Sequence, residues 1–178
     1  MQNLEELKSQ IPDYAKDTKI NLSTLLSQEN QVLTPKQVFG AALTSAYVTK
    51  EKLLIRIIKN EAEKVLSESE MKAVKSASTL MAMNNIYYRF THISNDKEYS
   101  QMPAGLRMQG IVNHGIDKID FEIFSLAASI INGCGMCIDA HAGQLVKNGL
   151  SKNQIQMVAK LAAVVSSASQ LLICEAGD

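Results

Sequence analysis

What this sequence of 178 residues has little of narrows its chemistry before any motif is considered. Lysine plus arginine and aspartate plus glutamate number 18 each, so there is no formal net charge. Capture of nucleic acid or anionic lipid needs a concentrated basic surface, so neither nucleic acid nor membrane is an expected partner. The same balance lowers the cost of self-association. Only three prolines occur, and no stretch sustains the apolar–polar alternation of a strand. Residues 1–8 are acidic and lack an apolar h-region, so no secretory signal is visible. The most apolar segment, 161–174, is interrupted by Ser166, Ser167, Ser169 and Gln170, and reads as too short and too polar to span a bilayer. Three cysteines without an export signal imply a reducing, cytoplasmic setting. There, a CxxC is expected to be redox-active or metal-binding rather than a structural bridge.

What is present is helical. A chain of this size buries roughly 70% of its unfolded surface and needs no disulfide staples. Thr34-Pro35-Lys36-Gln37 combines an N-cap threonine, proline at the first helical position and glutamine at N3, a capping box. Ser67-Glu68-Ser69-Glu70 and Ser151-Lys152-Asn153-Gln154 offer two more. Gly149 follows an amphipathic run and suits a C′ position. The pattern predicts helices over 2–9, 12–27, 35–48, 50–65, 68–88, 118–131, 135–148 and 152–174. Between them, 94–115 is mostly connection, with one short helix near Leu106. The expected architecture is a single all-α domain over 1–178. A weak internal repeat relates about 34–88 to 118–174: residues 37–44 align with 122–129, and the boxes at Ser67 and Ser151 fall into register.

The chemistry concentrates in Cys134-Gly135-Met136-Cys137-Ile138-Asp139-Ala140-His141. On a helix, spacings of three, four and seven bring both thiols and the imidazole to one face. Asn132-Gly133 is a helix breaker, so a new helix starts at Cys134, where unsatisfied N–H groups and the dipole favour a thiolate. Cβ atoms three apart on a helix lie roughly 5–6 Å apart, slightly more than a disulfide prefers, and the glycines at 133 and 135 allow the adjustment. A reversible Cys134–Cys137 disulfide is therefore within reach. His141 can act as base to Cys137 or as proton donor to a leaving group. Glu122 is a carboxylate in an apolar run; it is either a first-turn glutamate favoured by the dipole or the group that orients His141.

A zinc site is the rival reading, because Cys-x2-Cys-x3-His supplies three ligands. A structural site normally has four, and the fourth would have to be Cys174, His92 or His114. Cys174 otherwise reads as a small buried hydrophobe. Met71, Met81 and Met83 read as core filler rather than a metal box.

With these residues placed, the sequence resembles the alkyl hydroperoxide reductase D family of the carboxymuconolactone decarboxylase-like superfamily. The resemblance rests on Met83-Asn84-Asn85 with Tyr88-Arg89, on Gly105-Leu106-Arg107-Met108, and on Glu122 twelve residues before Asn-Gly-Cys-x-x-Cys-x-x-x-His. It implies a helical subunit with a repeated unit, assembled as a homotrimer. It implies that Cys137 attacks, forming a sulfenic acid with an organic hydroperoxide or a mixed disulfide with a partner. Cys134 is then proton donor and resolving thiol, and Glu122 and His141 form a proton relay. The implied partner is a peroxiredoxin of the alkyl hydroperoxide reductase C type. Electrons would come from a lipoyl-bearing adaptor, with no tightly bound cofactor. A zinc-stabilised binding module, or a redox sensor of the same superfamily, are the alternatives. A decarboxylase-like activity has no evident need for the thiol pair. Helix-dipole reasoning alone nominates Cys134 as the nucleophile; the resemblance and the spacing to His141 nominate Cys137. Met136 stands where some relatives carry a histidine, and a thioether passes no proton, which is expected to weaken direct peroxidase activity.

Overall fold

The computed structural model describes residues 3–27 and 32–176, an all-α fold with no strand among the described residues. Its helices are α1 (Leu4–Gln10), α2 (Lys16–Leu25), α3 (Pro35–Thr49), α4 (Lys52–Ala62), α5 (Glu68–Ile93), α6 (Glu98–Gln101), α7 (Lys118–Ile131), α8 (Gly135–Lys147) and α9 (Lys152–Glu175). Short 3₁₀ turns occupy Asp13–Ala15 and Gln109–Ile111. All three capping boxes form, at Thr34 with Gln37, Ser67 with Glu70, and Ser151 with Gln154. Each satisfies two otherwise orphaned backbone N–H groups.

Two runs of three consecutive helices have similar lengths. Helices α3, α4 and α5 run 15, 11 and 26 residues, and α7, α8 and α9 run 14, 13 and 24. Helices α3 and α7 pack against each other at the centre, and each packs against both α5 and α9. Leu43, Ala46, Phe121, Phe124, Leu126 and Leu161 lie fully or almost fully buried there. At full burial, Phe124 contributes about 1.5–3 kcal/mol by leaving water. Gly40 is what lets α3 approach α7 this closely: a Cβ built on it would lie 2.0 Å from the Phe124 ring.

Four expectations need correction. The predicted 12–27 helix divides into a 3₁₀ turn and α2, because Ala15 (φ −110°, ψ 22°) breaks the helical path. Helix α5 continues past Tyr88 to Ile93, and the short helix falls at α6 rather than near Leu106. The extra turns of α5 have α6 packed back on them, with the Phe90 and Tyr99 rings 5.0 Å apart. Finally, α9 as a whole is long and apolar enough to cross a membrane by length and composition, with mean hydropathy 1.7 over its best window. Its apolarity has another use, since Val158, Leu161, Val165, Ala168 and Leu172 form part of the core.

The entrance to α5 is held electrostatically as well as by its cap. Lys36 Nζ of α3 lies 2.7 Å from Glu70 Oε1. Burial pushes the Glu70 carboxyl up, but the Lys36 ammonium and two Ser67 hydrogen bonds outweigh it and hold it below its ordinary 4.5. A carboxyl with a lowered folded value adds stability above its unfolded value, and loses that contribution as pH falls through the folded one. Glu70→Gln keeps the capping box but loses the ion pair. It is expected to lower stability by about 0.5 kcal/mol at pH 7, with the difference from the parent shrinking in urea unfolding as pH falls through the carboxyl's lowered folded value.

Candidate active site

The site is built where α7 ends and α8 begins. Helix α7 closes in a Schellman turn, with Gly133 N–H donating to the Ile130 carbonyl (3.1 Å) and Cys134 N–H to the Ser129 carbonyl (3.2 Å). Gly133 takes φ +65°, the left-handed conformation that the turn requires. Cys134 is at once the residue that completes this closure and the N-cap of α8, its Sγ accepting from Cys137 N–H at 3.4 Å. The helix thus starts at Gly135, the first residue of the expected 135–148 helix, with Cys134 as its cap.

Cys134 and Cys137 are joined in a disulfide, with Cα atoms 5.3 Å apart. That separation lies inside the range that a disulfide accepts. Cys134 is fully buried and Cys137 is 6% exposed. One turn further on, His141 Nδ1 lies 2.7 Å from Glu122 Oε2. Glu122 sits in the second turn of α7 and is buried, so it is not the first-turn glutamate of the simpler reading. A carboxylate in this place accepts Nδ1–H and fixes the orientation of the imidazole. The other nitrogen, Nε2, lies 3.3 Å from Met81 Sδ on α5.

Two hollows meet at this pair. An apolar cavity of about 280 Å³ is walled by Met81, Tyr88, Met108, Ile111 and Met136, with Cys137 on its surface. An open groove of about 800 Å³ takes in Glu122, Lys118, Asp139 and Lys147. His141, Ala140 and Ile111 border both. Cys137, not Cys134, is therefore the sulfur that a molecule entering the cavity would meet.

The lead-in to Cys134 is tied to α5 by a polar network. Asn85 Nδ2 donates to Ser129 Oγ (2.9 Å), Asn132 Nδ2 donates to Asn85 Oδ1 (3.0 Å), and Arg89 Nη1 donates to the Asn132 carbonyl (2.6 Å). Asn85 and Ser129 are buried, Asn132 is half-buried and Arg89 is exposed, so the network runs from the core out to the surface and braces the turn that sets the cysteine geometry.

The structure thus brings Cys134 to Cys137 and Glu122 to His141. Neither imidazole nitrogen bonds a cysteine sulfur in this disulfide form, since both have other partners. His92 lies exposed in the last turn of α5, and His114 stacks on Phe121 with ring centroids 4.4 Å apart. Cys174 is exposed, not buried as expected, because the inward face of α9 is taken by Leu171 and Leu172 beside it. Among the described residues, no three His, Cys, Asp or Glu side chains are grouped to hold a metal ion. Sequence reasoning read Met81 as filler and gave Asn84, Asn85 and Ser129 no role. The one available signal was Asn84-Asn85, polar residues three and four positions after Met81 on the face of α5 that buries Val74, Ala77 and Met81.

Comparison with known proteins follows the same residues. Positions 97–172 match the model of the carboxymuconolactone decarboxylase family. An alkyl hydroperoxide reductase AhpD of Coxiella burnetii is 52% identical over 173 residues, 97% of this chain and 98% of that protein. Proteins of the same name from Hyphomonas neptunium and Maricaulis maris are each 46% identical, over 98% and 97% of this chain and 96% and 99% of their own. Identity of this extent, along nearly the whole length of each protein, places the chain in the AhpD family of the carboxymuconolactone decarboxylase-like superfamily.

Proposed function

We propose that the protein is a thiol-dependent alkyl hydroperoxide reductase that cycles between a Cys134/Cys137 dithiol and their disulfide. The observation that carries this is the position of Cys137, bonded to Cys134 and facing an apolar cavity beside the Glu122–His141 pair. In the reduced protein, the Cys137 thiolate attacks the terminal oxygen of the peroxide. The O–O bond breaks, the alkoxide leaves as an alcohol with a proton relayed through His141, and Cys137 becomes a sulfenic acid. Cys134 displaces water from that sulfenic acid and closes the disulfide, which guards against oxidation to sulfinic acid.

Regeneration needs two electrons and two protons from a dithiol. Attack falls on Cys137 Sγ, and Cys134 departs at the N-cap of α8, where backbone N–H groups and the helix dipole stabilise a leaving thiolate. A lipoyl-bearing adaptor is the expected reductant, and a peroxiredoxin disulfide the expected second substrate. Both expectations rest on the names and family of the relatives. A homotrimer is proposed on the same ground; the exposed apolar stripe Ile86, Phe90 and Ile93 on α5 is a surface that assembly would cover. Met136 extends the apolar wall but carries no proton, so the relay is left to Glu122 and His141.

Stoichiometric tert-butyl hydroperoxide added to the reduced protein tests the reading. Two of the three thiols are expected to vanish as a Cys134–Cys137 disulfide by mass spectrometry, with exposed Cys174 still open to alkylation. Three alkylatable thiols after the peroxide is added would reject it.

A further inference from the structure

The open groove beside the site carries charge that the scheme above does not use. It follows α8 away from the sulfurs. From Cys137, on the adjoining cavity, to Lys147, on the groove, is ten positions of that helix, about 15 Å at 1.5 Å per residue. Between them the wall includes Ile111, Val112 and Ala140, and Val112 is 80% exposed, an apolar side chain with nothing over it. Lys118 stands one turn before Glu122 on α7, again on the side away from the sulfurs. Both lysines are exposed, and among the described residues neither pairs with a carboxylate. The acids of the groove lie elsewhere: Glu122 is taken by His141, and Asp139 is two positions from Cys137. Asp139 would repel an anion at the sulfur end, and the lysines would attract one at the far end. An elongated ligand with one negative terminus is thereby given a direction.

Resting on the proposed function, we infer that the preferred substrate is a long-chain fatty-acid hydroperoxide whose carboxylate is held by Lys118 and Lys147. Its chain lies against Ile111 and Val112, and its peroxide sits at Cys137, where groove and cavity meet at His141 and Ala140. At ~1.2 Å per bond, a third of an extended residue, the 15 Å from sulfur to lysine takes about a dozen chain bonds. Beyond the peroxide, the cavity of about 280 Å³ admits a tail of at most about nine carbons, taking water's share of its liquid, roughly 30 Å³, for each. Two hollows meeting at one sulfur thus suit a chain peroxidised in its interior. The chemistry balances as before. The Cys137 sulfur bonds to the distal oxygen, which keeps its hydrogen as the sulfenic acid, and the O–O bond breaks. The proximal oxygen takes a proton from the His141 side and stays on the chain as a hydroxyl. Two electrons pass from sulfur to the peroxide bond, and the product is a hydroxy fatty acid with its carboxylate unchanged. A compact hydroperoxide fills only the cavity and gains nothing from the lysines.

Linoleic acid hydroperoxide, in the isomer peroxidised nearer its methyl end, and its methyl ester differ only in the charge at issue. The second-order rate of thiol loss in the reduced protein is measured with each, below the concentration at which it forms micelles, and with tert-butyl hydroperoxide. Expected in the parent is a rate about fivefold higher for the acid than for the ester at low salt, falling toward parity at about 1 M salt, where charges are screened within ~3 Å. In the double variant Lys118→Gln, Lys147→Gln the acid should fall to the rate of the ester, and in Lys118→Glu, Lys147→Glu the ester should become the faster of the two. Taking the ratio within one protein cancels any change in fold or in the reactivity of Cys137. Equal rates for acid and ester in the parent overturn the inference and leave the groove to an acidic partner surface. A preference for the acid that survives both double variants overturns it too. In either case reaction with tert-butyl hydroperoxide leaves the proposed function standing. A parent inert to all three hydroperoxides rejects the proposed function and this inference with it.

Discussion

Cys137→Ser is expected to lower hydroperoxide turnover at least about a thousandfold, to the background of the assay, while the protein keeps its fold. A serine hydroxyl cannot replace a thiolate as nucleophile toward a peroxide oxygen. Cys137 packs at the edge of a cavity rather than in the centre of the core, so the exchange disturbs little. Cys134→Ser should behave differently. The first attack still occurs, so one equivalent of alcohol forms and a sulfenic acid at Cys137 can be trapped with dimedone. Without a resolving thiol the cycle stops there, and excess peroxide drives Cys137 to the sulfinic acid. The two variants together settle a conflict between two physical arguments. The N-cap position favours a thiolate at Cys134, whereas accessibility favours reaction at Cys137. A trapped sulfenic acid at Cys134 in C137S, with an inert C134S, would reverse the assignment.

The second large effect is expected at the imidazole. His141→Gln keeps a polar side chain beside Glu122 but cannot shuttle a proton, and should lower turnover about 100-fold, the lower end of what a positioned acid–base group supplies. Glu122→Gln leaves the imidazole in place and removes only the carboxylate that orients it, so a smaller loss of about tenfold is expected. Steady-state rates with saturating reductant measure both. Each variant should still form the disulfide with a chemical oxidant that needs no proton relay, which separates lost relay from lost fold. Full turnover by H141Q would remove His141 from the mechanism.

The positions of the long helices were legible because each is announced locally. Thr34, Ser67 and Ser151 carry their own caps, and Gly149 takes the C′ position of α8 at φ +89°. Adjacency within one helix was equally readable, and Cys134, Cys137 and His141 follow from spacing alone. What periodicity does not encode is which face of another helix lies opposite. Met81 meets His141 across 60 positions, and Asn85 meets Ser129 across 44. Nothing in the local pattern around Met81 distinguishes a thioether against an imidazole from one against a leucine. The burial of Glu122 could be suspected from the apolar run around it, but its distance to His141 depends on how α7 and α8 cross. The exposure of Cys174 escaped for the opposite reason: near the end of α9, one residue's difference in register decides between core and water.

That Cys134 both finishes α7 and caps α8 leaves the joint without a spare residue. The carboxylate on one helix and the sulfurs and imidazole on the next therefore belong to a single stiff elbow, not to a loop that can be lengthened. An insertion within 94–117 would extend a connection between α5 and α7. One extra residue at Gly133 would turn α8 by about 100° about its own axis, one residue's share of a 3.6-residue turn. It would carry the sulfurs away from the cavity while every side chain remained present. The site's tolerance is thus set by chain length at one joint as strictly as by the identity of its residues.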